Sequence, residues 1–430
     1  MADSMTRILC TGDIHMGRIP SALPEDVDVR RHSTIGAWGR IVDAAVENRV
    51  HALILTGDVV DRANRSYESI GPLEAGLRRL AEAGIRAFAV AGNHDFDVLP
   101  ELADILEPGL LTVLGRGGSW SSEPFIAAEE STPRLVLCGW SFPAQHVRRS
   151  PLSDLPEVRS ELPAIGVMHA DLDAARSGYA PVARAELSGK GVGTWLLGHL
   201  HKPFQDRTDT GEMYLYPGSP QPLDPGETGP HGPCLLEIGP EGEVEARMLP
   251  LASVLYGSVE VSMEDAGSEP EVMKRLWDAI DSAREDMDVS DRVEYLVLRA
   301  VLTGRTPLHR RLPRITADAS DDLRMESGDA SVSLDRLLFE TRPAHDLQRL
   351  AERETPAGML ARWIMALEEG GQTPEVHGLL EAVEEKIGEL SGSRVSRPVL
   401  ERLGGLDIVD LARRQALLLL DELQSQIGGE

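Results

Sequence analysis

The chain has 430 residues, of which 42% are hydrophobic and only 4% aromatic, and it carries a formal net charge of -27. That length accommodates a catalytic domain plus one or two smaller domains. The charge excludes a surface coated for nucleic-acid binding, although not a nuclease whose bound cations or basic partner supply the positive potential. No run of about 18 apolar residues predicts a membrane-spanning helix, and the amino terminus leads into a strand without a signal-peptide core. Cys10, Cys138 and Cys234 are widely spaced, as expected of buried thiols in a reducing cytoplasm.

Residues 7 to about 250 alternate strand and helix patterns. Arg7–Thr11 reads as a short buried strand, and Ser33-Thr34 as the cap of a helix that runs to Asn48. Ala52–Thr56 is the next strand. Leu73–Ala83 has apolar residues at helical spacing with Gly84 as its stop, and Arg86–Ala91 is a third strand. This βαβαβ order predicts a sheet with helices on its faces and ligands at the carboxyl ends of its strands. Leu135–Cys138, Ala164–Met168 and Thr194–Leu197 continue the pattern. Tyr214–Pro220 reads as strand then turn, and the Pro- and Gly-rich residues 221–232 as a loop.

Beyond residue 250 the pattern changes. Val259–Val261, Glu294–Val301 and Ser331–Leu334 read as strands and Glu269–Arg284 as a helix, together a small α+β domain. From His345 the chain reads as helical, broken at Gly370-Gly371 and Ser391-Gly392-Ser393. It ends in an amphipathic segment, Leu406–Ile427. The expected domains are therefore 1–252, 253–344 and 345–430.

Five polar clusters stand out in the first half: Asp13-Ile14-His15, Gly57-Asp58-Val59-Val60-Asp61, Gly92-Asn93-His94-Asp95, the lone His169, and Gly198-His199-Leu200-His201. Phosphodiester hydrolysis requires an activated water and neutralised charge, which two divalent ions roughly 3.5–4 Å apart supply. Mixed imidazole, carboxylate and amide ligands suit Mn, Fe or Zn better than Mg alone. Singly, Asp13, Asp58 and Asn93 read as turn or cap residues, His169 as a packed strand end, and Asp61 as a surface acid beside Arg62. Their coincidence points to metal. Asp95 reads as structural, and His32, His51, His146, His231, His309, His345 and His377 as structural or surface.

The order D-x-H, G-D-x-x-D, G-N-H-D, H, G-H-x-H resembles the calcineurin-like metallophosphoesterase superfamily over about residues 7–220. Within it, the spacing of Asp13, His15 and Gly17, the Gly-Asn-His-Asp ending and Tyr216-Pro217-Gly218-Ser219-Pro220 are most similar to SbcD-type nucleases, the nuclease subunits of bacterial SbcCD repair complexes. The resemblance implies an α/β fold: a metallophosphoesterase β-sandwich flanked by helices, an α+β capping domain that contacts DNA, and a helical carboxyl-terminal tail. It implies a first metal on Asp13, His15 and His201, a second on Asn93, His169 and His199, and Asp58 bridging them. Two Mn²⁺ ions are expected. His94 is expected beside the metals, stabilising the transition state or protonating the leaving oxygen, with Asp61 fixing its tautomer.

The function expected from the resemblance is that of a Mn-dependent DNA exonuclease or endonuclease in double-strand break repair. Sequence-independent DNA, an SbcC-like coiled-coil ATPase and a second copy of the chain are the implied partners, in the cytoplasm and away from membranes. The alternative is a small-molecule phosphodiesterase or phosphoprotein phosphatase. Gly57–Arg62 also resembles the phosphatase motif Gly-Asp-x-Val-Asp-Arg, although Ala63 stands where those enzymes have Gly, and Asp95 where they have Glu. No P-loop is present. Phosphate contacts are expected from Arg30-Arg31-His32, Arg62 with Arg65, Arg148-Arg149, and Arg305 with His309, Arg310, Arg311 and Arg314.

Overall fold

The structure, a computed structural model, describes residues 5–23, 27–61, 67–128, 130–286, 292–317, 325–327, 330–368, 373–374, 376–378, 380–382 and 408–427. Arg62, Ala63, Arg65, the two expected helix breaks after residue 369 and the first residues of the expected tail, Leu406 and Asp407, lie outside the described residues. The backbone divides into two compact units. One comprises Met1–Val259, Asp278–Ala300 and Asp318–Leu337, the other Glu260–Trp277, Val301–Ala317 and Leu338–Glu430.

The described residues up to 252 carry fourteen strands. They are β1 (Thr6–Thr11), β2 (Ala52–Leu55), β3 (Arg86–Ala89), β4 (Thr112–Val113), β5 (Ser121–Phe125), β6 (Leu135–Trp140) and β7 (Ala164–His169), followed by β8 (Asp171–Leu172), β9 (Pro181–Val182), β10 (Thr194–Gly198), β11 (Phe204–Arg207), β12 (Met213–Tyr216), β13 (Cys234–Ile238) and β14 (Val244–Met248). Twelve of them make two six-stranded sheets, ordered β14-β13-β1-β2-β3-β4 and β11-β12-β10-β7-β6-β5. The helices are α1 (Val29–His32), α2 (Thr34–Glu47), α3 (Tyr67–Glu82) and α4 (Val98–Ile105).

The period-two alternation of each strand explains the layering. Ile8, Cys10, Ile54 and Phe88 of the first sheet meet Leu137, Ile165, Val167, Leu196 and Leu215 of the second in one buried core. The intervening residues Leu9, Leu53, Leu55, Ala87 and Ala89 point the other way, into a core with Trp38, Ile41 and Val42 of α2 and Leu73, Leu77 and Leu80 of α3. Helix α2 begins where expected, because the Ser33 hydroxyl accepts the Gly36 N–H at 3.3 Å. The expected sandwich with flanking helices is thus present. The short or polar strands β4, β5, β11 and β14 and the apolar β13 complete the two sheets beyond the expected strands.

The strands and helix expected beyond residue 252 are present as Val254–Ser262, Glu269–Asp286, Tyr295–Thr303 and Ala330–Phe339. In the second unit, helices Pro356–Glu368 and Ile408–Ile427 pack through Ala357, Leu360 and Ile364 against Ala416, Leu417 and Leu420. Helical spacing turns the intervening Leu418 and Leu419 to solvent. Among the described residues no helix is long and apolar enough to cross a membrane.

Several side chains of the basic clusters have acidic partners. Arg305 makes a two-pronged pair with Asp421, both contacts 3.1 Å, with side chains 19% and 15% exposed. His345 Nε2 lies 2.5 Å from the same carboxylate. Arg305 is therefore held by an acid 116 residues away. Arg31, Arg149 and Arg311 pair with Glu294, Asp154 and Glu269, and His32 is buried on Ser253.

Candidate metal centre

The carboxyl ends of the parallel strands β1, β2 and β3 lead into Asp13-His15, Asp58-Asp61 and Asn93-His94. In the other sheet, β7 ends on His169, and β10, parallel beside it, leads into His199 and His201. Backbone bonds tie these loops together. Asp13 N–H donates to the Gly57 carbonyl at 3.0 Å and His15 N–H to the Asp58 carbonyl at 2.9 Å. His94 N–H donates to Asp58 Oδ1 at 2.9 Å, and His199 N–H reaches both Asp13 oxygens at 3.2 and 3.1 Å. Gly92 permits the close approach, since a Cβ there would lie 2.2 Å from Asp58 Oδ1.

Four of the expected ligands have left-handed backbone: Asp13 (φ 48°), His15 (φ 49°), Asp58 (φ 50°) and His199 (φ 104°). Such a conformation costs a non-glycine residue about 1–3 kcal/mol and persists where the surroundings impose it, commonly at functional sites.

Three sets of donors converge, each within 4.8 Å: Asp13, His15 and His201; His15, Asp61 and His94; Asp13, Asp58 and His169. His15 Nε2 and His201 Nε2 are 3.3 Å apart. His169 donates its Nδ1–H to the Thr56 carbonyl at 3.0 Å, which leaves Nε2 facing Asn93 Oδ1 at 3.1 Å and Asp58 Oδ2 at 3.3 Å. His199 stands outside the three sets. Its ring lies 5.3 Å from that of His169, and its Nε2 is 3.7 Å from Asp171 Oδ2. His94 is at the open rim, its side chain 42% exposed, with its ring edge-on to His15 at 5.0 Å. Its Nδ1 is 3.7 Å from Asp61 Oδ1, an ion-pair distance longer than a hydrogen bond.

The electrostatics suit cations. Burial pushes the Asp13 carboxyl up, opposed by His169. Burial would raise Asp58 too, but His169 and His15 outweigh it and hold this carboxyl below the usual range. Burial would lower His169, yet Asp58 holds it up at about 9, because the buried acids favour positive charge at this place, whether a proton or a metal ion supplies it. Burial pushes His15 and His199 down to about 4, keeping both imidazoles neutral donors. Two imidazole nitrogens on one tetrahedral ion lie about 3.4 Å apart, close to the spacing of His15 and His201. This donor set fits a pair of divalent ions.

Further contacts hold the loops that carry the donors. Asp95 is buried and ties two loops, accepting the Gly92 and Val59 N–H groups at 2.7 Å each, in keeping with its structural reading; burial and Asp58 push it up to about 7. Gly218 (φ 75°) lies under His201, where a Cβ would come 2.5 Å from the His201 carbonyl oxygen. That accounts for the Tyr-Pro-Gly-Ser-Pro turn. Glu227, from the loop after it, places Oε1 2.7 Å from His201 Nδ1.

Comparison with known proteins agrees with this geometry. The family Calcineurin-like phosphoesterase matches residues 6–203, and the middle domain of metallophosphoesterase YhaO matches residues 256–342. The uncharacterized metallophosphoesterase YhaO of Bacillus subtilis is 26% identical over 67% of this chain and 68% of its own. The DNA double-strand break repair protein Mre11 of Aeropyrum pernix is 26% identical over 66% of this chain and 71% of its own. The Mre11 of Haloferax volcanii is 29% identical over 70% of this chain and 63% of its own. Every donor described above except Glu227 falls inside the first match, and the chain accordingly carries a calcineurin-like metallophosphoesterase domain, with DNA double-strand break repair proteins Mre11 and metallophosphoesterase YhaO among its relatives.

Proposed function

We propose that the protein is a dimetal phosphodiesterase that cleaves DNA as the nuclease subunit of a break-repair complex. What carries this reading is the convergence of Asp13, His15, Asp58, His169 and His201 at the strand ends, in a chain whose relatives include DNA double-strand break repair proteins. Asp13, His15 and His201 would hold one ion and Asn93, His169 and His199 the other, with Asp58 serving both sets. The ions, Mn²⁺ in this proposal, supply charge neutralisation and an activated water. His94, at the solvent-exposed rim, stabilises charge on the phosphoryl oxygens or delivers a proton to the leaving oxygen, and Asp61 orients it. Residues 1–252 are the catalytic domain, 253–344 a cap that contacts the DNA backbone, and 345–430 the docking region for an SbcC-like coiled-coil ATPase. The assembly is a cytoplasmic homodimer.

The test is hydrolysis of a labelled linear duplex and of bis-p-nitrophenyl phosphate by purified protein, with Mn²⁺ or with EDTA. Mn-dependent attack on the duplex, lost in Asp58→Ala, is expected. Cleavage of the small diester alone, even with the ATPase present, would replace the nuclease with a small-molecule phosphodiesterase. Deletion of residues 406–430 is expected to abolish capture of the ATPase while sparing the small diester.

A further inference from the structure

The loop between β12 and β13 carries no regular structure, yet its polar side chains are bonded in series. Glu227 Oε1 faces His201 Nδ1 at 2.7 Å, while its other oxygen, Oε2, accepts the Leu223 N–H at 2.9 Å and the Ser219 hydroxyl at 3.1 Å. Ser219 N–H donates to the His201 carbonyl at 2.9 Å. The ring and the backbone of His201 are therefore held by the same strap. The strap is itself fixed. Gln221 Oε1 accepts from Arg40 Nη2 at 2.8 Å and from the Ser253 N–H at 3.1 Å, and the buried His231 donates its Nδ1–H to the Ser219 carbonyl at 2.8 Å.

We propose that Glu227 is a positioning residue of the metal centre, which holds the proton of His201 on Nδ1 and so aims the Nε2 lone pair at the ion shared with Asp13 and His15. This rests on the dimetal reading above. A carboxylate suits the task because both its oxygens accept. The Leu223 N–H is an obligatory donor and claims Oε2. A glutamine at this position has one acceptor atom. Satisfying Leu223 with it turns the amide NH₂ toward His201 Nδ1, which must then accept, and the proton moves to Nε2, where the ion belongs. A carboxylate behind a metal-bound histidine typically contributes about 10–100-fold in metal affinity.

The test is calorimetric titration of the metal-stripped, full-length chain with Mn²⁺, comparing wild type with Glu227→Gln. The expected result is that one of two sites weakens by about 10–100-fold while the other and the melting temperature of the stripped protein are unchanged. Wild-type affinity at both sites in Glu227→Gln overturns the role of Glu227 and leaves the dimetal centre standing. Equal loss at both sites with a lowered melting temperature makes Glu227 a merely structural strap and also overturns it. A wild-type chain that takes up no divalent ion overturns both readings together. If Glu227→Gln does not fold, long-range ¹H–¹⁵N spectra of Zn²⁺-loaded wild type decide, with the His201 signals identified by their absence in His201→Gln. A proton on Nδ1 supports the assignment and a proton on Nε2 overturns it.

Discussion

His15 and His201 present their Nε2 atoms to each other across 3.3 Å, one from the loop after β1 and one from the loop after β10. A cation seated between the two nitrogens would take the place of the N–H···N contact that the metal-free rings can make at this distance. Divalent ions are therefore expected to stabilise the stripped protein, by about 2.7 kcal/mol at 100 times Kd. Thermal melts with and without Mn²⁺ measure this, and a melting temperature indifferent to the ion would count against a metal at this pair.

Asp58 faces His169 at 3.3 Å and His15 at 3.9 Å, and is the acid common to both halves of the cluster. Asp58→Asn keeps the shape and removes the charge. Turnover is expected to fall by more than the roughly 100-fold typical of residues that only support a ligand, with metal content reduced. Undiminished turnover in a fully folded variant would remove Asp58 from the centre.

His94→Gln is expected to act differently. The residue sits at the rim and touches His15 only by its ring edge. Metal content should hold while kcat drops about 10²–10⁴-fold, the usual contribution of a positioned acid or base. Asp61→Asn should have a smaller effect, because 3.7 Å is too long for a strong orienting bond. Parallel loss of metal from His94→Gln would make it a ligand instead.

In the second unit, Asp421→Asn is expected to destabilise by about 2 kcal/mol, the scale of charge-assisted hydrogen bonds. Burial would raise the Asp421 carboxyl, but its bonds to Arg305 and His345 prevail and hold it below the usual value. A depressed carboxyl contributes stability that is present above its unfolded pKa, about 3.9, and is lost as pH falls through the folded value. Melting curves of wild type and variant should thus differ at pH 7 and converge in acid below about pH 4. A constant gap across that range would show that the pair's charge is irrelevant. Arg305→Ala should likewise lower stability first, with any loss of DNA affinity following from that.

The strand ends were legible because each ligand cluster is local: an apolar run that must be buried, then a polar turn of Asp, Asn, Gly or His. Ser33 and Asn48 bracket α2 for the same reason, as short-range chemistry. What escaped is long-range. Glu227 lies 26 residues from His201 within a loop of Pro and Gly, and nothing in that composition distinguishes a ligand's support from a surface acid. Arg305 looked like a phosphate contact because its neighbours in sequence are basic, while its partner in space is Asp421. Strand β13 is an apolar run and β14 alternates apolar with charged residues, so both patterns stand in the sequence, but their antiparallel place beside β1 is set by long-range pairing.

The donors come from both layers of the sandwich: Asp13, Asp58 and Asn93 follow strands of one sheet, His169, His199 and His201 end or follow strands of the other. Divalent ions held by this set would be rivets as well as reagents, fastening two sheets that also meet through interdigitated apolar side chains and hydrogen bonds such as that from the Ala91 N–H to the Ser141 hydroxyl. The stripped protein should open first at this end of the sandwich. The same ions that make the domain reactive would then set the order in which it comes apart.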